Sequence, residues 1–117
     1  MSDLQCPASF VLLSPETAQT CDLHELRLSL VVCACETNAE TVQRLAAKDR
    51  CTIETSTLAT AAELVAKINQ LADQYRGEQV AVIAGSELIC GALNQRSAEA
   101  HPIQITVDSD GWNIRLG

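Results

Sequence analysis

Leu26-Arg27-Leu28-Ser29-Leu30-Val31-Val32-Cys33-Ala34-Cys35 begins as an apolar and polar alternation and ends as a continuous apolar run. Alternation describes a strand with one face in water, and an unbroken apolar run describes one covered on both faces. Covering both faces takes helices above and below, so this stretch points to the interior of a parallel sheet.

The residues that follow supply those helices. Thr37-Asn38-Ala39-Glu40 has the spacing of a capping box, and Val42, Leu45 and Ala46 form the apolar stripe of a short helix ending near Lys48. Cys51-Thr52-Ile53-Glu54-Thr55 is β-branched and alternating, which predicts a second strand. Thr60-Ala61-Ala62-Glu63 is another capping box. Beyond it Leu64, Val65, Ile68, Leu71, Ala72 and Tyr75 recur at steps of three and four, and Gly77 is placed to end the helix. Val80-Ala81-Val82-Ile83-Ala84 is an all-apolar strand, and Gly85-Ser86-Glu87 opens a helix carrying Leu88, Ile89, Ala92 and Leu93. Strand and helix therefore alternate from Leu26 to about Gln95, which implies right-handed crossovers and a mostly parallel sheet.

The two ends read differently. Ile103, Ile105 and Val107 alternate with polar residues, as do Trp112, Ile114 and Leu116, and Asp110-Gly111 between them is a two-residue turn signal. With that loop Val107 faces Ile114 and Ile105 faces Leu116, giving an antiparallel hairpin at one sheet edge. At the other end, residues 1–25 carry Pro7, Pro15 and no Lys or Arg. Phe10-Val11-Leu12-Leu13 predicts a short buried strand, and Ser14-Pro15-Glu16-Thr17 an N-cap with proline at the first helical position.

The 117 residues contain no repeat, low-complexity tract or linker. They predict a single α/β domain: an N-terminal extension (1–25), βα repeats (26–100) and a C-terminal β-hairpin (102–117). The expected architecture is a three-layer, mostly parallel sheet of Rossmann-like or flavodoxin-like type. That architecture hosts many unrelated activities, so function has to come from particular residues.

Composition narrows the classes. Aromatic residues make up 3% of the chain, which leaves almost no platform for base stacking, and the net charge of −7 repels phosphate backbones and anionic membranes. No apolar run approaches the ~18 residues that span a bilayer. No nucleic acid and no membrane are expected as partners. Met1-Ser2-Asp3-Leu4-Gln5 has neither a basic nor an apolar region of a signal peptide, so the six cysteines are expected to be reduced and the location cytoplasmic.

Four sets of residues are candidates for function. Cys33 and Cys35, two apart on a strand, share a face and suit a redox pair; in an apolar run they equally suit a packed core. Their spacing lacks the gap of zinc knuckles, and His24 and His101 have no second ligand at structural-zinc spacing, so no metal is expected. Glu36-Thr37-Asn38 and Gly85-Ser86-Glu87 follow strand C-terminal ends, where open parallel sheets bind ligands and helix N-termini favour anions. Thr37 and Ser86 are equally ordinary N-caps, and Glu36 and Glu87 repel phosphate at close range. Trp112, with Ile114, lies on the edge hairpin and is the candidate interface anchor. No convergent catalytic set and no cofactor motif emerges, so catalytic residues and cofactors are both expected to be none. The leading expectation is a non-enzymatic interaction or regulatory module that binds a protein partner or forms a homo-oligomer. Its alternatives are a small enzyme or anionic-ligand sensor with a pocket at residues 35–38 and 85–87, and a thiol-redox protein.

Overall fold

A computed structural model describes residues 7–20, 27–34, 39–47, 50–93, 103–108 and 111–116. In chain order the elements are β1 (Ala8–Leu13), α1 (Pro15–Thr20), β2 (Leu28–Cys33), α2 (Ala39–Ala47) and β3 (Thr52–Thr55). They continue with α3 (Ala61–Gln74), β4 (Gln79–Ile83), α4 (Ser86–Leu93), β5 (Ile103–Asp108) and β6 (Gly111–Leu116). The strands form one sheet in the order β3-β2-β4-β1-β5-β6. β3, β2, β4 and β1 run parallel, β5 pairs antiparallel with β1, and β6 pairs antiparallel with β5. This is the expected α/β architecture with its antiparallel hairpin at one edge, consistent with a Rossmann-like or flavodoxin-like fold. None of the described helices is long and apolar enough to cross a membrane.

Two apolar clusters, one on each face, account for the three layers. Leu64, Ile68, Leu71 and Ala72 of α3 and Ile89 of α4 pack on one face, over Phe10, Leu12, Leu30, Val32, Val80, Val82 and Ile105. Ala18 of α1 and Val42, Leu45 and Ala46 of α2 cover the other, over Val11, Leu13, Val31, Cys33, Ala81 and Ile83. Adjacent strand residues thus point to opposite clusters, as a pleated sheet buried on both sides requires.

Local signals fix the longest helix. The Thr60 hydroxyl accepts from the Glu63 N–H at 3.2 Å, while the Glu63 carboxylate accepts from the N–H groups of Thr60 at 3.2 Å and Ala59 at 2.7 Å. The predicted capping box is therefore formed, a feature that contributes about 1 kcal/mol to helix stability. The helix stops at Tyr75, and Gly77 turns the chain at φ 77°, a conformation that glycine adopts without steric cost.

Three features depart from the sequence reading. β1, expected in an N-terminal extension, is an internal strand between β4 and β5, with Phe10 facing Val80 on one side and Ile105 on the other. In β2 a register irregularity between Leu28 and Leu30 breaks the alternation, so Leu28 packs with the α1 and α2 cluster and Leu30 with the α3 and α4 cluster. In the hairpin Val107 faces Trp112 and Ile105 faces Ile114 rather than Ile114 and Leu116. The connection is residues 109–110, because Gly111 pairs with Asp108 as a strand residue, at φ 125°. A two-residue shift preserves side-chain parity, so the buried face is the one expected.

The outer strand β3 is held by a polar contact. Lys67 of α3 forms an ion pair with the Glu54 carboxylate, which also accepts from the Ser56 hydroxyl at 3.0 Å. The Lys67 ammonium is the main reason the Glu54 carboxyl lies below its usual range, with the Ser56 bond adding to the effect and partial burial opposing it. A depressed carboxyl adds stability that is present above its unfolded pKa of about 4.3 and is lost as pH falls through the folded value. Glu54→Gln is therefore expected to lower stability at neutral pH by less than about 1 kcal/mol, because the pair is partly exposed. Urea midpoints of the variant and the parent should converge as pH falls below the unfolded pKa and through the lower folded one; a gap independent of pH would assign the effect to packing.

Candidate functional site

The C-terminal edge of the parallel strands is where the topology leaves room. α1 after β1 and α2 after β2 lie on one face, whereas α4 after β4 lies on the other, and β4 stands between β1 and β2. The connections therefore part to opposite faces on both sides of β4, the arrangement that opens a crevice above strand ends. The ladder continues one residue past the strands there, with Ala34 N–H donating to Ile83 O at 2.8 Å and Ala84 N–H to Leu13 O at 2.9 Å. Cys33 pairs with Ile83, so the end of β2 and the Gly85-Ser86-Glu87 turn are neighbours.

Gly85 is half-buried, and a Cβ built on it would meet nothing within 4 Å. Its φ is not positive, so its lack of a side chain leaves open space rather than enabling a turn. Glu87 is exposed in the first turn of α4, and of Ser86 only the backbone is described. Glu36, Thr37 and Asn38, the other half of the expected ligand set, lie outside the described residues, as do Cys35, His24 and His101. Two buried polar residues lie at this edge, and they form the N-cap that Ser14-Pro15-Glu16-Thr17 predicts. The Ser14 hydroxyl accepts from Thr17 N–H at 3.2 Å and donates to the Thr17 hydroxyl at 2.9 Å, capping α1 at the end of β1.

Cys33 is buried in the α1 and α2 cluster, and its thiol, like those of Cys51 and Cys90, is not in a disulfide. The β2 and β3 register sets Leu30 against Thr52 and Cys33 against Thr55, which puts Cys51 at the opposite end of the strand pair from Cys33. Among the described residues no group of three or more His, Cys, Asp or Glu is placed to hold a metal ion.

The opposite, N-terminal edge carries a polar depression of about 500 Å³ lined by Ser9, Arg27, Ser29, Gly77, Glu78 and Gln79. Three strand starts build it: Ser9 and Leu28 both pair with Gln79. The Arg27 N–H donates to Gln79 Oε1 at 2.9 Å, the Ser29 hydroxyl to Glu78 Oε1 at 2.6 Å, and the Ser9 N–H to Glu78 O at 3.0 Å. Ser29 sits at the irregularity of β2, and bulges of this kind re-aim side chains.

At the far edge of the sheet, Trp112 of β6 is half-buried against the α3 and α4 cluster. Its indole N–H donates to Asn69 Oδ1 on α3 at 2.9 Å, which ties the outer strand to the helix layer. Ile114 faces Ile105 across the hairpin; its side chain lies outside the described set. β6 is paired with β5 along all six residues and, among the described residues, has no strand on its other side. Cys33 thus ends β2 beside the Gly85 turn with its side chain in the α1 and α2 cluster, whereas Trp112 lies on the last strand of the sheet. Comparison of the chain with models of known protein families and with curated proteins found no match.

Proposed function

We propose that this chain is a non-enzymatic interaction or regulatory module that joins a protein partner by adding a strand at β6, the first partner to test being a second copy of itself. The observation that carries this reading is the six-residue outer strand, paired on one side only among the described residues and braced by the Trp112 to Asn69 bond. An edge of that length offers a row of backbone donors and acceptors to an incoming strand. The short β3 at the other edge offers four residues and is the weaker template. The thiols of Cys33, Cys51 and Cys90, none of them in a disulfide, support a reducing, cytoplasmic setting, and the −7 charge favours a partner without phosphate.

Pairing alternates along an antiparallel ladder, and the residues flanking a two-residue loop form a hydrogen-bonded pair. Counting from Asp108 and Gly111, the N–H of Ile114 is directed outward. Ile114→Pro should therefore block strand addition and leave the β5 to β6 bonds in place. The expected result is a solution mass above the monomer at millimolar concentration, reverting to monomer in Ile114→Pro with the circular dichroism spectrum kept. A chain that stays monomeric at that concentration, and that binds no protein whose capture is lost in Ile114→Pro, would sink the reading.

A second reading is favoured by Gly85. The open space above it, at the place where connections part to opposite faces, supports a small-ligand pocket at the strand C-terminal ends. Gly85→Val would fill that space, and a ligand-induced rise in melting temperature that survives this change would remove the support.

A further inference from the structure

We propose that the depression at the starts of β1, β2 and β4 binds a small zwitterion of the α-amino acid class, its carboxylate on Arg27 and its ammonium group on Glu78. Two opposite charges line the same concavity, yet no ion pair between them occurs among the described residues. Each is held from its own side. The main-chain N–H of Arg27 is bonded to Gln79, which leaves the guanidinium without a partner among the described residues. Glu78 is bonded through Oε1 to the Ser29 hydroxyl, which leaves Oε2 without a partner among the described residues. A planar guanidinium takes a carboxylate through two parallel bonds, and a carboxylate oxygen accepts from an ammonium group. The Gln79 amide and the Ser9 hydroxyl, also lining the depression, can complete the set.

The bulge gives the arrangement its reason. Ser29 interrupts an otherwise apolar strand, breaks its alternation, and spends its hydroxyl on orienting an exposed carboxylate. An exposed glutamate fixed in this way loses less side-chain freedom when a ligand arrives, which favours binding. A ligand carrying one charge alone would satisfy one wall of the depression and leave the other in water.

Backbone amide NMR of the whole chain, titrated with a panel of common α-amino acids and with acetate and methylammonium as single-charge controls, tests this. At least one amino acid should move the signals of Ser9, Ser29, Gly77, Glu78 and Gln79 saturably. Its affinity should fall about tenfold or more in Arg27→Ala and in Glu78→Gln, the loss of one charged bond in each case. Arg27→Ala keeps the main-chain bond to Gln79, so the fold contact survives the test. The proposal is overturned if no amino acid gives a saturable shift, if acetate binds as tightly as the amino acids, or if both variants bind unchanged. None of these outcomes bears on strand addition at β6.

Discussion

Replacing Phe10 by alanine is expected to remove about 3–5 kcal/mol of folding stability, the range for emptying a fully buried phenylalanine site. Phe10 is wholly buried in β1, between Val80 of β4 and Ile105 of β5, and its side chain joins the cluster beneath α3 and α4. It is the only phenylalanine in the chain. The neighbours that would have to collapse into the void are branched aliphatics on strands whose hydrogen bonds hold them in register, so relaxation is limited and the cavity term is kept. Domains of this size have about 5–15 kcal/mol in total, so the variant should unfold at a markedly lower urea midpoint and melt on the order of 15 °C earlier. The same measurement decides between two architectures. A strand in a peripheral extension would tolerate the change with a loss below about 1 kcal/mol, as substitutions outside a packed core do. A loss that small would take β1 out of the sheet interior.

That contrast marks the boundary of what the chain's pattern discloses. Elements fixed by neighbours in sequence were legible: the Thr60 and Glu63 capping box, the apolar stripe from Leu64 to Ala72, the helix end at Gly77, and the alternation of β5 and β6. Elements fixed by distant partners were not. Nothing in Phe10-Val11-Leu12-Leu13 distinguishes an outer strand from an inner one, because strand order is set by which helices cross which face. Asp110-Gly111 is a strong turn dipeptide and predicts a loop one residue too far along, whereas the structure uses Gly111 as the first strand residue. Side-chain parity is insensitive to that error, which is why the buried face was still right.

The polar depression was hidden for the same reason. Ser9, Ser29 and Gln79 are far apart in sequence and meet only because β4 is inserted between β1 and β2. One signal was available: each of these strands carries a polar residue at or near its start and is apolar thereafter. Polar starts on strands that share an edge must lie side by side. The alternation of Leu28 and Leu30 concealed the bulge, because a register irregularity leaves the letters of the pattern unchanged while it turns one of the two leucines to the other cluster. At the C-terminal edge, by contrast, Gly85-Ser86-Glu87 reads in the sequence as the opening of a helix, and the structure adds that the space a side chain on Gly85 would occupy is open.

Gly91→Val is expected to lower stability by about 3 kcal/mol, the upper part of the range for forcing extra carbon into a packed contact. The glycine lies in α4, where a Cβ would come within 2.8 Å of the Ala61 Cβ at the start of α3. Ala61 has no rotamer by which to retreat, so the helices themselves must part, and α3 and α4 both contribute to the cluster that holds β1, β2 and β4. Helix propensity argues the other way. Gly91 is exposed on its outer side, and a glycine in an ordinary exposed helix position gains about 1 kcal/mol on becoming alanine. The two effects therefore differ in sign, and Gly91→Ala should come out destabilising or near neutral where propensity alone makes it stabilising. Ala61→Gly supplies the control. It removes the opposing methyl group, so the cost of Gly91→Val in that background should shrink by about 1–2 kcal/mol, a coupling of the size found between residues in contact. Urea denaturation of the four proteins in the cycle measures it. Strict additivity, or a Gly91→Ala variant more stable than the parent by the full propensity gain, would mean that α3 and α4 do not meet at this glycine.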